Sequence, residues 1–168
     1  MQEVKTKGLG IELVEKMYDC FSRGDMEGIK RDVFAPDIKW HLPGRHPLGG
    51  TKYGADEVLQ FFGQLIKYQI AVDLIKIVGD DEVAVEVHRG HTDKTRDPQP
   101  HPLHGAKGIV TSDDMNQAPA RLDALNCTCY YVSNGKIGEV QVFLSDQYAA
   151  DNFFWSNYSL KPIPDRLA

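Results

Sequence analysis

Cysteine is scarce in this 168-residue chain, and the three present form an odd set with no zinc-type spacing. That argues against a disulfide framework and a cysteine-built metal centre, and points to free thiols in a reducing, cytoplasmic compartment. Also missing is any apolar run near the roughly 20 residues that a membrane-spanning helix needs. The opening residues, MQEVKTKGLGIELVEK, put charges where a signal peptide would carry its apolar region, so secretion by that route is not expected. Excess positive charge is absent as well. Lys and Arg number 19 against 24 Asp and Glu, giving a net charge of −5 and a pI near 5.6. A general nucleic-acid binder shows a basic face, so that class is set aside. What remains is an ordinary globular composition, 42% hydrophobic and 26% charged. The chain is long enough to bury a sizeable core, most simply as one domain over residues 1–168.

The stretch that organises the chain is residues 34–62, FAPDIKWHLPGRHPLGGTKYGADEVLQFF. It combines a short apolar strand (38–42), a Pro/Gly-punctuated loop (43–54) and a helix with an apolar face. Trp40 sits where the strand hands over to a loop carrying Arg45, His46 and Tyr53. Bulky apolar wall beside a few polar groups is how small-molecule pockets are built.

Upstream, Leu9, Leu13, Val14, Met17, Tyr18 and Phe21 recur at helical spacing. Gly24 ends that helix and Asp25 caps a shorter one bearing Met26, Ile29 and Val33, which Pro36 stops. Asp56 and Glu57 mark the start of a third helix that buries Val58, Phe61, Phe62, Leu65 and Ile66. Sheet follows. Residues 69–78 and 82–92 flank Gly79-Asp80-Asp81, and residues 121–133 and 136–145 flank Asn134-Gly135, a strong two-residue hairpin signal. Residues 147–155 are helical again and the tail from 160 to 168 is extended. Helices followed by long antiparallel strands predict an α+β domain. Residues 94–120 do not fit a compact plan; their Pro, Gly and polar content marks a long insertion, either mobile or a functional lid or arm.

The order of these elements, with FAPDIKWHLPG, LGGTKYGADEVLQFF, NGKIGEV and SDQYAADNFFW, resembles the nuclear transport factor 2-like superfamily, in its SnoaL-like, ketosteroid-isomerase-like branch. The resemblance covers residues 9–93 and resumes over 122–155. It implies a cone of three helices wrapped by a curved antiparallel sheet, an internal pocket for a small apolar molecule, and a homodimer through the outer sheet face. The family's tyrosine and two acid positions fall at Met17, Leu42 and Thr128, with Tyr18 adjacent but rotated away. The first arginine and acid positions of related epoxide hydrolases fall at Val87 and Arg89. Neither catalytic set is retained.

Strand parity names replacements, because alternate residues face opposite sides. Val140, Val142, Leu144 and Asp146 share a face that the resemblance turns into the cone, as it does Ala124, Asn126, Thr128 and Tyr130, and Val83, Val85, Val87 and Arg89. Asp146 is either the acid at the end of an apolar wall or the cap of the helix starting at 147. Arg89 is a clamp for an anionic oxygen, a salt-bridge partner of Asp146, or an exposed strand end. The candidate catalytic set is thus Asp146, Arg89 and Tyr130, with His46 assisting from the mouth. Trp40, Leu42, His46, Tyr53, Phe62, Asn126, Thr128 and Val142 are candidate substrate-binding residues. The aromatic set, which also includes Phe61, Phe153 and Trp155, reads mainly as core. Parity turns His41 outward. No metal or cofactor is implied, since His88 and His91, like His101 and His104, are three apart and diverge on a strand. Two functions remain open: acid–base catalysis of isomerase, cyclase or hydrolase type on a carbonyl- or ring-bearing compound, and non-catalytic binding or sensing of such a ligand.

Overall fold

The periodic segments fold in the expected order, with one extra strand. The computed structural model describes residues 7–92 and 121–156; the 94–120 insertion and the 160–168 tail lie outside the described residues. Helix α1 (Leu9–Ser22) buries Leu13, Val14 and Met17, and Gly24, at φ +72°, turns the chain out of it. Asp25 caps α2 (Met26–Asp32) by accepting a 2.8 Å hydrogen bond from the Gly28 amide. Helix α3 (Gly54–Lys67) buries Val58, Phe61 and Phe62 and carries Asp56 and Glu57 in its first turn, where the helix dipole favours them. Helix α4 (Gln147–Trp155) begins at Asp146, whose side chain accepts from the Ala149 amide at 2.9 Å.

The strands are β1 (Phe34–Leu42), β2 (Gly50–Tyr53), β3 (Ala71–Gly79), β4 (Val83–His91), β5 (Asp123–Ser133) and β6 (Lys136–Leu144). They form one sheet in the order β2-β1-β6-β5-β4-β3. β1 and β6 pair in parallel and every other neighbouring pair is antiparallel. Asn134 and Gly135, both at positive φ (51° and 75°), make the tight β5–β6 turn. Two boundaries differ from the sequence reading. β1 begins at Phe34 and takes in Pro36. Its register to β6 shifts between Phe34 and Lys39, an irregularity that accommodates a residue with no N–H to donate. The loop at 43–54 contains β2, four residues long and too short to show alternation.

The α+β class stands as expected, with a curved sheet that does not close on itself. Helix α1 is fastened to the β3–β4 turn by a 2.9 Å bond from the Gly10 amide to the Asp80 carbonyl and one of 2.8 Å from the Leu9 amide to Asp81 Oδ1. A Cβ on Gly10 would lie 2.8 Å from that carbonyl oxygen, so only glycine allows the approach. Between α3 and the sheet, Trp40 meets Phe62 edge-on at 5.2 Å and Tyr130 at 6.0 Å. Most of the aromatic set is core as expected, but Tyr53 and Trp155 are 50% and 42% exposed. Tyr53 ends the edge strand β2 and Trp155 ends α4. Ile137 is fully buried at the parallel β1–β6 seam, opposite Phe34. Ile137→Ala is expected to cost about 2–5 kcal/mol of stability, read by urea unfolding; a loss well below 1 kcal/mol would show that the seam does not hold the core.

Candidate functional site

Residues directly opposite on antiparallel strands share a face, so the pairing fixes what the sheet presents inward. Tyr130, Thr128, Asn126 and Ala124 on β5 oppose Ala84, Glu86, His88 and Gly90 on β4. On β6 the partners of Tyr130, Thr128 and Asn126 are Val140, Val142 and Leu144. The β5 set and, on β6, Val140, Val142 and Leu144 face inward as the resemblance implies, whereas Asp146, beyond the end of β6, is exposed. The β4 set is inverted. Val85, Val87 and Arg89 face the outer side, and Glu86 and His88 take the inner one. Arg89 therefore does not reach the cavity. Its guanidinium makes paired bonds of 2.7 and 2.8 Å to Asp123, both side chains partly exposed.

Between the inner sheet face and the helices lies a cavity of about 120 Å³. One water needs about 10–15 Å³, so the space suits an organic guest. α1 contributes Met17, Tyr18 and Phe21, β1 Trp40 and Leu42, α3 Phe61, Phe62 and Leu65, and α4 Ala150 and Phe154. Val142 and Leu144 complete a largely apolar wall, and the polar side chains on it are Tyr18, His88, Asn126, Thr128 and Tyr130, with the indole of Trp40. Tyr18 lines the cavity rather than rotating away, because the helix face carrying Met17 is wide enough to present both.

Behind this wall is Glu86, fully buried. A buried carboxyl group must be matched by donors, and here it is. Tyr130 donates its hydroxyl to Oε1 at 3.2 Å. His88 Nδ1 lies 2.8 Å from Oε1 and 3.1 Å from Oε2. Tyr18, on the cavity wall, lies close enough to Glu86 and Tyr130 for both to act on its phenol. Burial first, then the negative charge of Glu86, pushes the Tyr18 phenol far above its ordinary value. Burial, Tyr18 and Glu86 do the same to Tyr130. Both phenols therefore stay protonated donors through the physiological range. With Nδ1 donating to Glu86, His88 Nε2 carries a lone pair, and Asn126 Nδ2 approaches it at 3.3 Å. Two buried polar atoms on cavity residues, Asn126 Oδ1 and Trp40 Nε1, have no partner among the described residues. Chemically, this is an imidazole oriented by a buried carboxyl group, with phenols beside it, in an apolar chamber.

Of the expected site residues, Trp40, Leu42, Phe62, Asn126, Thr128, Tyr130 and Val142 line the cavity. Four do not. Asp146 is exposed and capped onto α4, which is the alternative use its position allowed. Tyr53 points outward at the edge strand, and Arg89 is paired with Asp123. His46 is fully buried beside the cavity, its ring stacked on Phe154 with centroids 4.4 Å apart. Its Nδ1 accepts from the Leu48 amide at 3.2 Å, and its Nε2 is 3.9 Å from Asp151 Oδ1. Residues 43–49 are held over α4 by bonds from the Arg45 amide to Asp151 at 3.2 Å and from the Trp155 indole to the Arg45 carbonyl. Gly44, at φ +122°, permits this; a Cβ there would lie within 2.6 Å of both His46 and Asp151. Sequence reasoning missed Glu86 and His88 as site residues. The signal that finds them is their register opposite Thr128 and Asn126.

The family model described as SnoaL-like domain matches residues 14–140. An uncharacterised protein of Mycobacterium tuberculosis H37Rv is 26% identical over 149 residues, 89% of this chain and 98% of that one. Among solved structures, Bal32a from a soil-derived mobile gene cassette superposes with a TM-score of 0.67 at 23% identity, covering 87% of this chain and 96% of that one. A putative SnoaL-like polyketide cyclase from Jannaschia does so with a TM-score of 0.61 at 15% identity, covering 92% and 97%. Likeness at that identity speaks for the fold.

His46 makes a testable point about pH. Burial, with a smaller push from Lys52 and against the pull of Asp151, lowers its imidazole to about 4. Below pH 6.5 the unfolded chain takes up a proton that the folded chain refuses, so stability falls as pH drops from 6.5 toward 4, by roughly 3 kcal/mol at most. Urea unfolding between pH 7 and 4.5 should show this slope flattened in His46→Gln; an unchanged slope in the variant would place the titration elsewhere.

Proposed function

Because the chain belongs to the SnoaL-like domain family, we propose that its cavity takes a small, largely apolar ring compound bearing a carbonyl group and moves a proton on it. His88 is the group that exchanges the proton. Nε2 accepts it from a carbon next to the carbonyl and returns it to the rearranged skeleton, as isomerisation or ring closure requires. Glu86 positions the imidazole and stabilises its protonated form. Tyr130 holds Glu86 in turn. Tyr18, on the cavity wall beside them, turns its hydroxyl to the enolate oxygen as charge develops there. The observation that carries the reading is the 2.8 Å contact between His88 Nδ1 and a fully buried Glu86 in an otherwise apolar chamber. The contact to Asn126 is long, so a guest can displace it from the lone pair.

The second reading is a binding or sensing domain without turnover. It is favoured by the mutual hydrogen bonding of Glu86, His88, Tyr130 and Asn126, which leaves the group at rest without a guest. Within either reading the partner on the outer sheet face is a second copy of the chain. Leu125, Phe143 and Tyr131 are 53%, 55% and 45% exposed there, large apolar side chains of the kind that mark association. The three free cysteines accord with a cytoplasmic setting.

Proton exchange separates turnover from binding. The protein should accelerate deuterium uptake at the carbon beside the carbonyl of 2-tetralone in D2O, followed by NMR. His88→Ala should lower that rate about 10²- to 10⁴-fold, and Asp146→Ala should leave it unchanged while costing about 1 kcal/mol of stability through the lost cap. Tight binding without exchange in the wild type would select the non-catalytic reading. On the outer face, Phe143→Glu should convert a dimer to monomer by native mass measurement; a wild-type chain already monomeric at micromolar concentration would remove the homodimer.

A further inference from the structure

His41, on the side of β1 away from the cavity, is bonded at both ring nitrogens. Trp40 and Leu42 on either side of it are buried, while His41 is partly exposed on the opposite face of the strand. In the pairing of β1 with β2 it stands directly opposite Thr51, which therefore shares its face. Its Nδ1 lies 2.9 Å from Thr51 Oγ1, and its Nε2 lies 2.9 Å from Oε1 of Glu139 on β6. The neighbouring strands β2, β1 and β6 thus carry a hydroxyl, an imidazole and a carboxylate in series. A carboxylate only accepts, so Glu139 takes the Nε2 proton of the neutral ring. Nδ1 is then left with a lone pair, and Thr51 is the donor there. A hydroxyl hydrogen-bonded to a base that a third group orients is the arrangement that activates an oxygen nucleophile. Solvent reaches it. The side chains of His41 and Glu139 are 28% and 51% exposed, and β2 is an edge strand.

We propose that Thr51, His41 and Glu139 form an acyl-transfer site, separate from the cavity, that cleaves small activated esters. Thr51 Oγ attacks the carbonyl carbon while its proton passes to His41 Nδ1. As the tetrahedral adduct collapses, the bond from carbon to the leaving oxygen breaks and that proton goes to the leaving oxygen. Water then attacks the acylated Thr51; Nδ1 takes its proton and returns it to Oγ, which frees the acid. Glu139 is a positioning residue that holds the ring with Nδ1 toward Thr51. Lys39, exposed on the same face, lies about 6.5 Å back along the strand, a span its long side chain covers to meet the oxyanion. An open surface offers little binding energy, so the substrate is an ester whose leaving group departs readily. Thr51 and His41 lie on β2 and β1, outside the β5–β6 residues where the second copy is proposed to sit, and His88 is on the other face of the sheet. The inference therefore does not rest on the proposed function.

The full chain is tested with p-nitrophenyl acetate. Nitrophenolate release is followed by absorbance, and the acetyl group is located by tandem mass spectrometry after an acid quench. The acetyl group should appear on Thr51. Thr51→Val should lose both the label and the release, and Thr51→Ser, one methyl group smaller, should keep both. His41→Ala should slow release about 10²- to 10⁴-fold. Glu139→Gln should lower kcat with KM unchanged, and mix the two His41 tautomers in long-range ¹H–¹⁵N spectra. If His41→Ala does not fold, the comparison of wild type with Thr51→Val decides. Release that Thr51→Val leaves unchanged, or acetyl groups on amines alone, overturns the proposal and shows the three residues to be a structural ladder of hydrogen bonds.

Discussion

The structure depends on the burial of one carboxyl group. Glu86 lies at the middle of β4 with no solvent around it, and every donor it needs comes from its own sheet or from α1. Leaving such a group unmatched costs several kcal/mol. The positions of Tyr130, His88 and Tyr18 are therefore not independent choices. Tyr130 must carry its hydroxyl to Oε1, His88 must turn Nδ1 to the carboxyl group, and the imidazole tautomer follows. The tautomer then orients Asn126. One buried acid thus sets the polarity of a chamber whose wall is otherwise largely hydrocarbon.

The other side of the chamber is closed by different means. Residues 43–49 are short, rich in Pro and Gly, and hold a neutral imidazole against Phe154, itself a cavity residue. A histidine kept uncharged by burial is stable packing at neutral pH and a liability in acid. Its partner Asp151 also receives the Gln147 side chain and the Arg45 amide, so α4 and the loop share one anchoring acid. Asp146, at the start of the same helix, caps its first turn.

Much of this was legible in the sequence. Helical spacing gave α1 to α3, Asn134-Gly135 gave the β5–β6 hairpin, and α4 falls at the residues expected for it. The inward sets on β5 and β6 were legible from strand parity joined to the family resemblance, and on β6 Val140 and Val142 also alternate with the polar Glu139 and Gln141. On β4 the alternation misleads. Val83, Val85 and Val87 make a regular apolar row, and such a row is normally read as core. Here the outer face of the sheet is apolar too, while the inner face of β4 carries Glu86 and His88. Hydrophobicity alone therefore assigns the strand backwards, and Arg89 travels with the wrong set. Only the register to β5 corrects it, and the 94–120 insertion between the two strands hides that register from any count along the chain. The tight loop holding His46 was equally hidden, since its closure depends on Asp151 and Trp155, more than a hundred residues away.

The most direct test is the imidazole of His88 itself. Long-range ¹H–¹⁵N correlation spectra of the histidine-labelled protein at neutral pH report which ring nitrogen carries the proton. If Glu86 orients the ring, His88 shows a protonated Nδ1 and an unprotonated Nε2, and Glu86→Gln shifts or mixes that pattern. A His88 resonance with the proton on Nε2, unchanged by the substitution at Glu86, would contradict the arrangement on which the site is built.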